Sequence, residues 1–435
     1  MADRSILTIV NGRIQNQSSS DNLVLAAPLD VNGKTIYCAS DILFVPTNND
    51  SILCGALHTT SNSELCFIGG GYASSFNNCS RGFIGGGYSH TINAADDSVI
   101  LGGYNNEIQA SSGNSTILGG VNNVSSCTYT TILGGVGNKA SGNCAISGGD
   151  TANAAAANAI AIGKNATANA VGATALGDTT LASGNYSLSA GYSANATGLY
   201  SVAIGKSAKA SGAYSVTVGG DSGNTTGDYS AIVGGASNVI SSACSAIIGG
   251  YSNNITSGSD YGAILGGREN TVNADFAVAF GWGAVAEQYA SVVQAPGYNT
   301  VVGDVQHIRA ITYGQSTSNN SVHLYLDGSS LDLVQPADSV WMSRVMVTGI
   351  RTDGAQGASY YFIYTTRRDG TANCVLTANV QTNPYALVLT EDDTAWNAAM
   401  NISGNNVYAS AIGTSNASAT YKWVAYWEIT QVKAS

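Results

Sequence analysis

Charge is what this chain lacks most. Lys, Arg, Asp and Glu make up 10% of its 435 residues, against about 25% in ordinary globular proteins. The balance is acidic, with a net charge of −11. No basic cluster of the kind that neutralises phosphates is present, which excludes nucleic acid and an anionic membrane as partners. The acidic excess is read as solubilising surface. Proline is also scarce: there are five, and none lies between Pro46 and Pro296. Proline cannot donate to a β ladder, so this gap suits continuous sheet. No apolar run is long enough for a membrane-spanning helix. The opening Met1-Ala2-Asp3-Arg4-Ser5-Ile6 lacks the apolar core and cleavage site of a signal peptide. No membrane insertion is expected.

Reactive side chains are few. The eight cysteines, Cys38, Cys54, Cys66, Cys79, Cys127, Cys144, Cys244 and Cys374, contain no CxxC pair. They predict neither a disulfide framework nor a zinc site, and read as reduced residues of a chain made in a reducing cytoplasm. His58, His90, His307 and His323 set no metal-binding spacing. No cofactor is expected.

Glycine is abundant, with 53 residues, and it is periodic. An apolar-Gly beat recurs at Gly69, Gly85, Gly102, Gly119, Gly134, Gly148, Gly163, Gly177, Gly191, Gly205, Gly219, Gly234, Gly249, Gly266 and Gly281, in steps of 14 to 17 residues. A short fixed period means stacked copies of one small unit. Fourteen residues at ~3.3 Å trace about 46 Å, room for two short strands and two turns. Fifteen such coils at ~4.8 Å would form a shaft of roughly 70 Å.

Side chains alternate along a strand, so adjacent positions face opposite ways. The residue just before the glycine (Ile68, Ile84, Leu101, Leu118, Leu133 and so on) is expected to point into the coil. The one before it (Phe67, Phe83, Ile100, Ile117, Ile132) is expected to point out. In five central coils that second position is Ala161, Ala175, Ser189, Ala203 or Thr217, which predicts closer approach of neighbouring chains there. Apolar residues on both faces need a cover on each side. The pattern therefore predicts an obligate homo-oligomer, without fixing three chains over two. Asn105, Asn106, Asn122, Asn123, Asn253 and Asn254 are expected near turns.

Tyr200-Ser201-Val202-Ala203-Ile204-Gly205-Lys206-Ser207-Ala208 and Asn158-Ala159-Ile160-Ala161-Ile162-Gly163-Lys164-Asn165-Ala166 resemble the head repeats of trimeric autotransporter adhesins, the YadA-like head. The resemblance is strong from about 144 to 220 and looser over the rest of 66 to 290. It implies a left-handed parallel β-roll and a homotrimer. The secretion signal, coiled-coil stalk and C-terminal membrane barrel of those adhesins are not seen. Instead Gly303-Asp304-Val305-Gln306, Leu324-Tyr325-Leu326-Asp327-Gly328, Arg351-Thr352-Asp353-Gly354 and Tyr421-Lys422-Trp423-Val424-Ala425-Tyr426-Trp427-Glu428-Ile429 resemble the C-terminal domain of bacteriophage tail fibres. Ile6-Leu7-Thr8-Ile9-Val10-Asn11-Gly12-Arg13 resembles phage structural proteins more weakly.

Residues 300 to 435 read as eight strands: 308–313, 322–326, 340–350, 359–365, 374–380, 385–390, 407–412 and 421–432, separated by Asp-Gly and Gly-Asn turns. They predict a jelly-roll-like β-sandwich. Tyr421, Trp423 and Trp427 share one face, either as core or as a stacking platform for sugars. The Gly-x-Gly strings follow the coil beat and no Gly-Lys-Ser/Thr stands in a phosphate-loop frame. Asp96-Asp97 and Glu391-Asp392-Asp393 are carboxylate clusters of the sort that hydrolyse glycans, but are read as solvated turns. Arg367-Arg368 is read as a solvated hairpin end.

The expectation is thus an all-β, non-enzymatic virion fibre. An N-terminal region, 1–58, attaches to other virion proteins. A homotrimeric left-handed parallel β-roll shaft spans 59–295, and a jelly-roll-like C-terminal β-sandwich tip spans 296–435. The fibre is made in the host cytoplasm and binds a host surface receptor or polysaccharide. No catalytic residue, metal ligand or receptor contact is assigned. A capsid- or neck-decorating fibre, an unconventionally exported cellular adhesin and a glycan depolymerase are the alternatives.

Overall fold

The computed structural model describes residues 7–10, 13–16, 42–44, 51–55, 57–317, 320–376, 385–392, 395–413 and 419–434. Most of the expected attachment region 1–58 lies outside them, as do Cys38, 377–380 and Asp393. The chain divides into two units, 1–197 and 198–435. Among the described residues every regular element is a strand.

In the first unit the coils form a parallel β-solenoid. One ladder runs through Phe67–Ile68, Phe83–Ile84, Val99–Ile100, Thr116–Ile117, Thr131–Val136 and Ile146–Asp150. A second runs through Ser75–Asn77, Thr91–Asn93, Glu107–Ile108, Val124–Ser125 and Lys139–Ala140. Each coil thus has two short strands, as its path length predicts. The corners need left-handed backbone, supplied at Asn105 (φ 52°) and Asn122 (φ 54°). Ahead of the coils, Ile42–Phe44 pairs antiparallel with Ile52–Cys54, and Leu7–Val10 with Arg13–Asn16.

The facing of the ladder differs from the expectation in most coils. Ile84 pairs with Ile100, which pairs with Ile117. All three are fully buried, as is Ile132, while Leu101, Leu118 and Leu133 are exposed. Aligning the coils on their first glycine slips the register by one between Gly85 and Gly102, and a one-residue slip turns every side chain to the other face. The glycines that align in space are Gly71, Gly87, Gly103, Gly120, Gly135, Gly149, Gly163 and Gly177, because a Cβ on each would strike the backbone of the next. In Gly-Gly coils this is the second glycine. The small central residues are therefore core: Ala159, Ala161, Ala166 and Ala168 fill one coil at 0% exposure. They make the coil itself thin, which is why its repeat shortens to 14 residues. The predicted closer approach of neighbouring chains loses its basis.

Asn105 and Asn122 turn corners, as expected of turn asparagines, whereas Asn106 and Asn123 belong to a buried side-chain ladder. Asn106 Nδ2 donates to the Gly102 and Gly120 carbonyls at 3.0 and 2.9 Å, and its Oδ1 accepts the Asn123 amide at 3.0 Å. Asn123 and Asn138 repeat the arrangement one coil further on each time. His90 occupies the same column: its Nδ1 accepts the Asn106 amide at 3.2 Å. Burial, the largest cause, pushes the His90 imidazole below its ordinary pKa. Protonation would also set an N–H against the Asn106 N–H. The unfolded chain takes up this proton first as pH falls below about 6.5, so stability is present above that pH and is lost below it. Chemical denaturation should show this loss, with a slope of up to about 1.4 kcal/mol per pH unit. His90→Asn, which keeps the ladder, should remove that contribution. An unchanged pH slope in the variant would refute it.

The second unit opens with coils of the same kind, including Val202–Lys206, Val216–Asp221, Ala263–Arg268 and Val278–Trp282. Asn238, Asn253 and Asn270 form its asparagine ladder, Asn253 and Asn270 each passing the amide contact on. Asn254 lies on a strand instead. Tyrosines take corner positions at Tyr200, Tyr214 and Tyr229, with φ of 54 to 57°. This left-handed backbone is costly for bulky residues. Ring stacking offsets it, with centroids 5.2 Å apart for Tyr200–Tyr214 and 4.9 Å for Tyr214–Tyr229.

Val292–Pro296 pairs in parallel with Val278–Trp282 on one side and antiparallel with Val305–Thr317 on the other. It thereby joins the coils to a large antiparallel sheet. That sheet continues through Thr420–Lys433, Ser339–Arg351, Gly357–Arg368 and Tyr385–Glu391. A smaller antiparallel sheet centres on Asn406–Ile412, flanked by Asn397–Ser403, Val322–Leu324 and Leu333–Val334. Trp396, next to that sheet, packs edge-on against Tyr421 and Trp423 of the large one, at 5.2 and 5.3 Å.

Buried glutamines clamp this junction. Gln306 Oε1 accepts the Val285 amide at 2.9 Å and its Nε2 donates to the Val285 carbonyl at 3.1 Å. The side-chain amide thus acts as one more strand on Val285–Ala286, whose ladder partner lies on the other side. Gln288 does the same for Val334, with both bonds at 2.9 Å.

Candidate binding surfaces

Apolar residues stand open in both units. On the coils, a residue one or two before the ladder glycine turns outward in eight cases: Leu101, Leu118, Leu133, Ile162 and Leu176 in the first unit, and Val233, Ile248 and Leu265 in the second, are exposed. In the terminal region the large sheet buries one face and leaves Ile311, Met342, Met346, Ile350 and Val424 exposed on the other.

Tyr421, Trp423 and Trp427 of the closing strand do not contribute to these surfaces. Tyr421, Trp423 and Trp427 are at most 1% exposed. Trp427 Nε1 donates to Thr312 Oγ1 at 2.9 Å, and Trp423 Nε1 to Ser316 Oγ at 3.2 Å. These aromatics are core, with their polar edges satisfied.

The outer face of the smaller sheet carries a stacked group. His323 lies between Tyr325 and Tyr408, with ring centroids 4.1 and 3.6 Å away. Its Nε2 is 2.5 Å from Asp332 Oδ1, and Asp332 Oδ2 accepts Asn406 Nδ2 at 2.9 Å. Sequence reading missed this group, because its members stand up to 85 positions apart and only the sheet brings them together.

The charged motifs resolve into local contacts. Asp97 pairs with Arg81 at 2.6 Å, which lowers its pKa, while Asp96 Oδ1 accepts the Ser80 amide at 2.7 Å. Asp392 Oδ2 accepts the Gly357 amide at 2.7 Å. Arg367 pairs with Asp369 at 2.8 Å, and Arg368 Nη1 donates to the Gln335 carbonyl at 2.7 Å. Asp304 accepts amides from Asn299, Thr300 and Val301, and Asp327 those from Ser329, Ser330 and Leu331. These bonds hold both carboxyls below the usual range. Two of the fibre-like motifs are therefore turn anchors. Among the described residues no His, Cys, Asp and Glu group has metal-holding geometry. Of seven described cysteines, all unbridged, Cys66, Cys79 and Cys374 are buried.

The repeat has a recognisable relative. Residues 154–222 match the YadA head domain repeat. The matched windows, 154–180, 168–194, 182–208 and 196–222, advance by one 14-residue coil each. No curated protein matches the chain. Three solved structures are similar. One is the tailspike protein gp49 of Acinetobacter baumannii bacteriophage Fri1, described as a capsular polysaccharide depolymerase. It has 9% identity and a TM-score of 0.24, over 87% of this chain and 72% of that one. The tailspike of Acinetobacter phage vB_ApiP_P1 has 8% identity and a TM-score of 0.22, over 89% and 81%. That of Acinetobacter baumannii phage AM24 has 9% identity and a TM-score of 0.17, over 87% and 78%. One expectation is corrected here. The chain was expected to be non-enzymatic, and the description of the first of these proteins as a depolymerase overturns that exclusion.

Proposed function

We propose that this chain is a tail fibre of a phage virion that attaches the particle to its host cell. The observation that carries this reading is the YadA head repeat, set in a β-solenoid whose outward column is apolar. Such a column suits burial against copies of the same chain, and the open face of the terminal sheet adds a second such surface. In this reading three chains associate. Residues 1–58 dock to other virion proteins, 59–295 form the shaft and 296–435 form a sandwich-like tip. Three tips on one axis turn weak contacts with a repetitive surface polysaccharide or receptor into strong attachment.

Immunogold electron microscopy of virus particles, with antibody against residues 296–435, tests the placement. Gold at the tail periphery is the expected result. Gold on the capsid or neck would make the chain a decorating fibre, and gold on cell envelopes alone would make it a cellular adhesin.

A further inference from the structure

A second set of exposed groups lies on the last coils of the second unit. Tyr251, Arg268, Trp282 and Pro296 occupy one column on successive rungs. The Arg268 guanidinium sits 5.6 Å from the Tyr251 ring centroid and 5.5 Å from that of Trp282. Glu269 collects three donors: Arg268 Nε at 2.9 Å, Tyr298 OH at 2.8 Å and Trp282 Nε1 at 3.3 Å. The four side chains are thus fixed before any ligand arrives, which lowers the entropy cost of binding. Beside them Gly267 and Gly281 place no side chain, leaving a shallow ledge lined also by Ala295 and Pro296.

The exposure is unusual for the residue type. Trp282 is 44% exposed, whereas Trp341, Trp396, Trp423 and Trp427 are at most 2% exposed. Sugar rings present a C–H face that packs on indole, and hydroxyls that take bonds from a planar guanidinium. Glu269 neutralises Arg268, so the ledge does not depend on an anionic ligand.

We propose that the ledge formed by Trp282, Arg268 and Tyr251 is a binding site for a pyranose unit of a surface glycan. The proposal rests on the host-attachment reading and adds a site on the coils to the contacts made by the tip.

Acrylamide quenching of the assembled full chain reads this site directly, because Trp282 is the exposed tryptophan. The probe is polysaccharide purified from the host envelope. The expected result is that Trp282 is quenched without polysaccharide and shielded with it. In isothermal titration, Trp282→Ala should bind at least about tenfold more weakly, and Trp282→Phe, which keeps a ring, within a few-fold of the parent. Trp282 already shielded before polysaccharide is added would mean that another copy covers the ledge, and would overturn the proposal. Polysaccharide binding that neither shields Trp282 nor weakens in Trp282→Ala would overturn the site while leaving host attachment standing. No polysaccharide binding by the parent chain would overturn the glycan itself as ligand, in both readings.

Discussion

Gly103→Ala should destabilise the first unit by upwards of about 3 kcal/mol, while Gly102→Ala, one residue earlier, should shift it by no more than about 0.5 kcal/mol. The two glycines look equivalent in sequence. Gly103 has φ +102°, and a Cβ there would meet the Gly120 carbonyl oxygen and, at 2.8 Å, both Asn106 Nδ2 and the Gly120 nitrogen. Backbone on the next rung cannot step aside without breaking the parallel ladder. A Cβ on Gly102 would find only the Gly86 carbonyl, at 3.8 Å. Denaturation midpoints of the two variants, measured side by side, check this. Equal midpoints would mean that the rungs are not in the register described.

A second adjacent pair separates buried from exposed asparagine. Asn123→Ala should cost about 2–4 kcal/mol, since it leaves the buried Asn138 amide and the Gly119 carbonyl without partners. The Asn138 amide loses the Asn123 Oδ1 at 2.9 Å and the Gly119 carbonyl loses its side-chain donor, while Asn138 Nδ2 keeps the Gly134 and Gly149 carbonyls and Gly135 keeps the Val121 amide. Asn122→Ala should cost only about 1 kcal/mol, for left-handed backbone at an exposed corner. The same denaturation assay reads both, and a larger effect at Asn122 would contradict the ladder.

The coil was legible because its period and strand length follow from chain path alone. Two strands per coil came from that, and the corners at Asn105 and Asn122 from the turn preference of asparagine. Which face points inward was not legible, because the two residues before each glycine are both apolar in most coils. Where Gly-Gly occurs, either glycine can be aligned, and only the pairing of Ile84 with Ile100 decides. The asparagine ladder was hidden for a related reason: Asn ordinarily marks turns, so Asn106 and Asn123 were read as turn residues like their neighbours. In the terminal region the β-branched and aromatic strands were found. Asn397–Ser403 was not, because Asn-Ala-Ala-Met-Asn-Ile-Ser carries little strand propensity. It forms as one arm of a hairpin that turns at Gly404, with φ +61°. The binding surfaces were the least legible part. The His323 group and the Trp282 ledge are assembled across rungs and sheets, where spacing in the chain carries no signal.

Attachment itself is tested most directly by competition. Purified full-length protein, added to host cells before the virus, is predicted to slow adsorption in proportion to the cell surface it occupies. Adsorption that proceeds at its normal rate under saturating protein would contradict the account.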